Sequence, residues 1–515
     1  MKTLAALPLW SLVATVFAVG TPSTLNDKMP LTQMTLAKPM AGVGTLHHAI
    51  TTASASAQQF YNQGLSLQHS YWYYEAARSF ETATIYDPRC AMAFWGLSRA
   101  LDSLGRTAES KRALETANEL TRSASQREKL FIQARTLQQA GATNAPQARK
   151  LLAEVIALYP ADEEAWMLRA RMETDGTATQ IADYHAVLRI NSNHHGAHHE
   201  LIHAYESFGR PALGWSHGEA YKRSAPSVAH AWHMQVHLAS RLSRWDVAAQ
   251  NTAKVIELEK AWQAELGTTM TTYWNSGHHF DIAMRSLIHD GKYQEARSTA
   301  QHAIDNKAQA AVLFNKGRLH QSERDWPALL KVAEEFRKAN NKNDAAYFTC
   351  IAQLGLGQLE QAETECLALE AAYKNASHYR VLECRGLLLC ETGKVGEGLK
   401  KLKEAAEKSQ NDYGQHAYGG GAYFMVQWGQ SALRCRRFDQ AEEGYLEALA
   451  HDTMCAPAAL GLQALMEAQG RRDEANRYAA LAKDYWRLAD AAVLDRELKL
   501  VRALVRGAAL DKGEK

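Results

Sequence analysis

Histidine is over-represented in this chain: there are 21, and 13 of them fall between His185 and His289. Eight of these occur in two segments, NHHGAHHELIHAYESFG and SVAHAWHMQVHLASRLSRW. On a helix, His199 and His203 are four apart and share a face, as do His230, His233 and His237 at i, i+3 and i+7. His199 to His233 is 34 residues, and so is His203 to His237. A single histidine is ordinarily a surface or packing residue. Two pairs at helical spacing, one repeat apart, instead predict imidazoles side by side on adjacent helices. His278, in NSGHHFDIAM, is expected on the next such helix. Neutral imidazole binds zinc, copper, iron and nickel, and a donor set of imidazoles alone favours copper over zinc. In this reading His199, His203, His233 and His237 are the primary metal ligands, and His230 and His278 complete the set. Glu200, Glu206 and Asp281 are the carboxylates in reach. Glu206, three residues after His203, is the candidate catalytic group, either fixing a tautomer or acting as a water-activating base. His194, His195, His198 and His279 are read as flanking residues on other faces, and His185, His217 and His289 have no spacing partner.

A second cluster, HSYWYYEAARSF, gathers aromatics. Such residues usually fill the gap between paired helices, but Trp72 and Tyr73 are candidates for a substrate groove. No glycine-rich nucleotide loop, serine nucleophile elbow or zinc-finger spacing is present, so no nucleotide cofactor is expected.

The elements that must position these residues are repeats. From about Ala57 the apolar pattern has helical period, broken every 12 to 20 residues by Gly, Pro or polar turns. Gly64, Ala76, Phe80, Ala83 and Pro88 fall at the offsets of a tetratricopeptide repeat (TPR), and Gly429, Ala441, Tyr445 and Ala448 repeat the pattern. Weaker copies are marked by Gly96 and Ala108, by Ala148, Leu152 and Pro160, and by Ala248, Ala296 and Ala362. The expected fold is all-α, a TPR-type helix-turn-helix solenoid forming a right-handed superhelix. The array spans 58–482, preceded by an extended arm over 21–57, and 483–515 is read as one long capping helix and a tail. The first helix of each pair lines a concave surface, which would take a small molecule or peptide, or a protein partner.

Met1, Lys2 and the apolar run Leu4–Val19 read as a signal peptide over 1–20, too short and proline-interrupted for a membrane span. The expected location is therefore secreted or periplasmic, with no membrane span after cleavage. Seven cysteines without a CxxC pair read as small buried helix residues with room for one disulfide, and Asn375 stands in the one glycosylation sequon. With 58 Lys+Arg against 56 Asp+Glu the formal charge is +2, so no field favours nucleic acid.

The run LQHSYWYYEAARSFETATIYDPRCAMAFWG resembles the opening of a family of exported microbial TPR proteins. HHGAHHELIHAYE, AHAWHMQVHLASRLSRWDVA and GHHFDIAMRSLIHDGKYQEA resemble its histidine blocks in the same order, and GTLHHAITTASASAQQFYNQG resembles its start. The resemblance covers most of Gly44 to Ala300. It implies a recurring histidine set at His47, His69, His199, His203, His230, His233, His237 and His278, with His47 and His69 holding a second ion or positioning substrate. Gln68, Tyr74, Gln235 and Val236 depart from the family pattern and bear on pocket shape, not on ligand types. No reaction is implied. Copper would supply oxidation or oxygenation and zinc hydrolysis. The alternatives are a non-catalytic scaffold for a peptide or partner protein, and a metal store or carrier.

Overall fold

The computed structural model describes residues 28–269, 274–410 and 420–506. The expected signal segment and the last nine residues lie outside them. Among the described residues the chain is all-α, with 25 α-helices, three short 3-10 segments and no strand. Consecutive helices pair and stack on their neighbours as a helix-turn-helix solenoid of TPR type.

The signature residues do the packing expected of them. Phe80, fully buried, wedges between Gly64 and Gly96, where an added Cβ would lie 2.8 and 2.4 Å from its ring. Tyr445 sits the same way between Gly429 and Gly461. One aromatic thus bridges three successive helices because two of them carry no side chain there.

Three first helices carry the histidines: His195–Ser207, Ala229–Arg241 and Trp274–His289. They pair with Trp215–Ser224, Trp245–Leu266 and Tyr293–Asp305 respectively. The first two histidine helices have 13 residues each and start 34 residues apart, so the spacing read from sequence is the structural register. The third starts later because Trp245–Leu266 runs for 22 residues, ending at Gly267 in the left-handed conformation (φ 64°).

The arm does not run free. From Met29 onward it is an irregular strap on the first repeats, with Met29, Val43 and Leu46 buried. Leu31 and Thr32 donate backbone N–H groups to the Glu81 carboxylate, Arg78 donates to Thr35 and Leu36 carbonyls, and the Thr51 N–H reaches Glu128 at 2.6 Å. Backbone polar groups without secondary structure must find side-chain partners when buried, and these helices supply them.

The capping segment differs from the single long helix expected. It is two helices, Arg472–Tyr485 and Val493–Val505, separated by a turn. The break has a cause: Trp486 Nε1 donates to the His289 carbonyl at 2.7 Å, and the Asp490 N–H donates to the Gly291 carbonyl at 3.1 Å. These contacts tie the turn to the third histidine repeat, some 200 residues earlier in the chain. Trp245 Nε1 adds bonds to both carboxylate oxygens of Asp452 at 3.0 Å, and Arg487 pairs with Asp246. The C-terminal repeats therefore curl back and close a ring on the Trp245–Asp305 region. All seven cysteines are free thiols.

Asp290 lies at this seam, 1% exposed, and neither carboxylate oxygen has a hydrogen-bond partner among the described residues. Burial pushes its carboxyl up to about 7. An unfolded Asp releases its proton near pH ~4, so between that pH and 7 the folded state binds more protons. The group's contribution to stability is thus full below about pH 4 and lost as pH rises to 7. Asp290→Asn, neutral throughout, is expected to melt about 1–2 °C above the parent at pH 8 and to lose that advantage at pH 4.5. Thermal melts at the two pH values test this, and an equal difference at both would refute it.

Candidate metal centre

The three histidine helices pack side by side, and their inner faces bring seven imidazoles together. His199, His203 and His230 form one group, His230, His233 and His279 a second, and His233, His237 and His278 a third. Within each group one ligand atom per residue lies within 4.8 Å of the others. His230 and His233 belong to two groups each, so the array is continuous. His199, His230, His233, His237 and His279 are all at most 5% exposed.

The closest approaches are between ring nitrogens. His199 Nε2 is 3.1 Å from His203 Nε2 and 3.0 Å from His230 Nε2. His230 Nδ1 is 3.2 Å from His279 Nε2, and His237 Nε2 is 2.9 Å from His233 Nε2. Ligand nitrogens on a tetrahedral ion with bonds of about 2.0–2.1 Å sit about 3.3 Å apart. The spacing fits imidazoles converging on shared ions.

Orientation is set from behind. His199 Nδ1 lies 2.7 Å from the His69 carbonyl, His237 Nδ1 lies 3.2 Å from Glu206 Oε2, and His279 Nδ1 lies 2.7 Å from Glu259 Oε1. A carbonyl or carboxylate there requires the proton on Nδ1, which leaves the Nε2 lone pair facing the other rings. Burial, followed by the neighbouring imidazoles, holds His199, His230 and His233 well below the ordinary imidazole range. They are neutral, the form that ligates metal.

Tyr71 closes one side. Its backbone is in the left-handed region (φ 55°), its ring lies 4.4 Å from His199 and 5.6 Å from His230, and its hydroxyl donates to Glu200. Burial alone would raise the Glu200 carboxyl, but Arg171 at 2.7 Å and the nearby imidazoles bring it down to about 2. Glu200 is thus an anion committed to Arg171 and Tyr71, set behind the array.

Each residue expected from sequence can now be placed. His199, His203, His230, His233, His237 and His278 lie in the three groups. His69 does not: its ring nitrogens face Glu164 at 2.7 Å and Arg171 at 3.2 Å, and it serves the array through its backbone carbonyl. His47 also lies outside, its Nδ1 3.0 Å from Asn62 Nδ2, beside a cavity of about 200 Å3 that Asp162, Glu163 and Glu164 also line. Glu206 is fully buried behind the array, between His237 and His203. Trp72 and Tyr73 line a gap that reaches His230 and His279, but its volume is about 30 Å3, room for one or two water molecules and not for a peptide. The reading of His279 as a flanking residue is corrected. His233 wedges between its ring and that of His278, at 4.4 and 4.7 Å, so two adjacent residues on one helix both reach the array. Glu259 was not anticipated either. It sits in the extra turns of Trp245–Leu266, with no spacing signal.

No protein-family model matches the chain, and no curated protein matches it. Among solved structures, the Cut9–Hcn1 assembly of the APC/C is similar over 86% of this chain and 90% of that one, at 11% identity and a TM-score of 0.28. A human IFIT1 dimer with PPP-AAAA is similar over 84% and 90%, at 12% identity and a TM-score of 0.31. No helix among the described residues is long and apolar enough to cross a membrane.

Proposed function

We propose that this solenoid holds two transition-metal ions on its histidine array and uses them for oxidative chemistry on a small molecule. The observation that carries this is the convergence of seven imidazoles in three overlapping groups, with three of the rings oriented through Nδ1 by oxygen acceptors. His199, His203 and His230 would hold one ion, His233, His237 and His278 the other, with His279 between them. Imidazole-only donors favour copper over zinc. Bound copper would supply one-electron chemistry, and the gap at His230 and His279, about 30 Å3, has room for dioxygen or water. We take the protein to be exported on the strength of its N-terminal segment.

The test is metal quantification on untagged protein after copper loading and gel filtration, followed by oxygen uptake with reductants. About two ions per chain are expected. Less than half an ion per chain would sink the reading. The enclosure of the array favours one other function, metal storage. Full copper content with no oxygen uptake from any reductant would support it.

A further inference from the structure

The C-terminal repeats border a further cavity, of about 310 Å3, outside the histidine array. Phe314, Tyr379, Tyr423 and Trp486 give it aromatic walls, and Arg318 and Arg380 also line it. The volume is at the lower end for small-molecule sites.

The charges around it do not cancel. Arg380 is paired with Asp344 at 2.7 Å, and Arg285, on the rim, lies 3.7 Å from Asp281. Arg318 has no salt-bridge partner among the described residues. Its Nη1 donates to the neutral Gln321 amide oxygen at 2.9 Å, and its guanidinium carbon lies 3.8 Å from the Tyr423 ring centroid. The nearest buried carboxyl, Glu383, accepts from the Tyr347 hydroxyl at 2.8 Å, and burial raises its pKa toward the neutral form. Arg318 also feels the Glu383 carboxyl, but Arg285, Arg318 and Arg380 all line the cavity and no carboxylate among the described residues does, so its wall keeps an excess of positive charge that an anion would offset. The charge calls for an acid, and the aromatic walls call for a flat apolar body.

We propose that this cavity is a binding site for a small aromatic monocarboxylate, its carboxylate on Arg318 and its ring between Tyr423 and the facing aromatics. The site needs no metal and stands apart from the histidine array.

Titration calorimetry on the full chain tests this with 2-naphthoate and its neutral counterpart 2-naphthamide. One site per chain is expected, with the acid binding at least about tenfold tighter than the amide. Arg318→Gln should weaken naphthoate by about tenfold or more and leave naphthamide unchanged, whereas Arg318→Lys should retain part of the preference. Ser322→Trp, which fills the cavity from its wall, should abolish binding of both and keeps the test valid if the Arg318 variants do not fold. His233→Ala should bind naphthoate as the parent does, which separates this site from coordination to metal. Equal binding of acid and amide, no binding of the acid, retention in Ser322→Trp, or loss in His233→Ala would each overturn the proposal.

Discussion

His233→Ala is expected to strip about half of the metal from the protein, the ion assigned to His233, His237 and His278, whereas His203→Ala is expected to leave more than half. His233 belongs to two of the three groups, and its ring lies within 5.4 Å of the rings of His230, His237, His278 and His279. Its removal reduces both groups to two imidazoles and leaves His237 Nε2 without the nitrogen 2.9 Å away. His203 belongs to one group and is partly exposed, so water can take its place at an ion. Losing a ligand outright should cost more than the roughly 10–100-fold that loss of an orienting partner costs. Metal per chain, measured after dialysis against a competing chelator, reads the difference. His233→Gln, nearer in size, guards against a packing defect. Full metal content in both His233 variants would remove the array from consideration as a metal site.

How far this centre could be read from sequence follows from geometry. His199, His203, His233 and His237 were legible because helix period and repeat period are both fixed lengths. Two helices that start 34 residues apart present the same face. The third helix lies beyond a 22-residue neighbour, so no fixed offset told which of His278 and His279 faces inward, and the packing lets both do so. The acidic partners differ in the same way. Glu206 shares a helix with His203 and could be named, whereas Glu259 reaches His279 from a different helix, 20 residues earlier. His69 came from resemblance alone. Its ring is spent on Glu164 and Arg171, which are 95 and 102 residues away in sequence and beyond any local pattern. Ring closure was hidden likewise. It rests on bonds such as Trp245 to Asp452, whose sequence separation of 207 no periodicity encodes.

Glu259→Gln is the sharper probe of how the array is tuned. Glu259 is 7% exposed, and both of its oxygens are engaged: Oε1 accepts from His279 Nδ1 and Oε2 from Ser276 Oγ, each at 2.7 Å. The arrangement fixes the His279 tautomer and adds negative charge behind the ring, which raises the donor strength of Nε2. Gln keeps the shape and can still accept at one oxygen, but it removes the charge. Its NH2 group also faces either Ser276 or His279 Nδ1, and facing the latter it would turn the tautomer the wrong way. An affinity loss of about 10–100-fold is therefore expected, confined to the ion that His279 serves. Competition against a chromophoric chelator should then show one weakened and one unchanged step. Glu206→Gln, acting behind His237, should weaken the ion held by the third group. If both substitutions weaken the same step, His279 serves the ion of the third group; if each weakens both steps together, the two-ion assignment fails and the seven imidazoles serve a single ion. If neither shifts any step, the carboxylates only satisfy buried imidazole N–H groups and play no part in metal affinity.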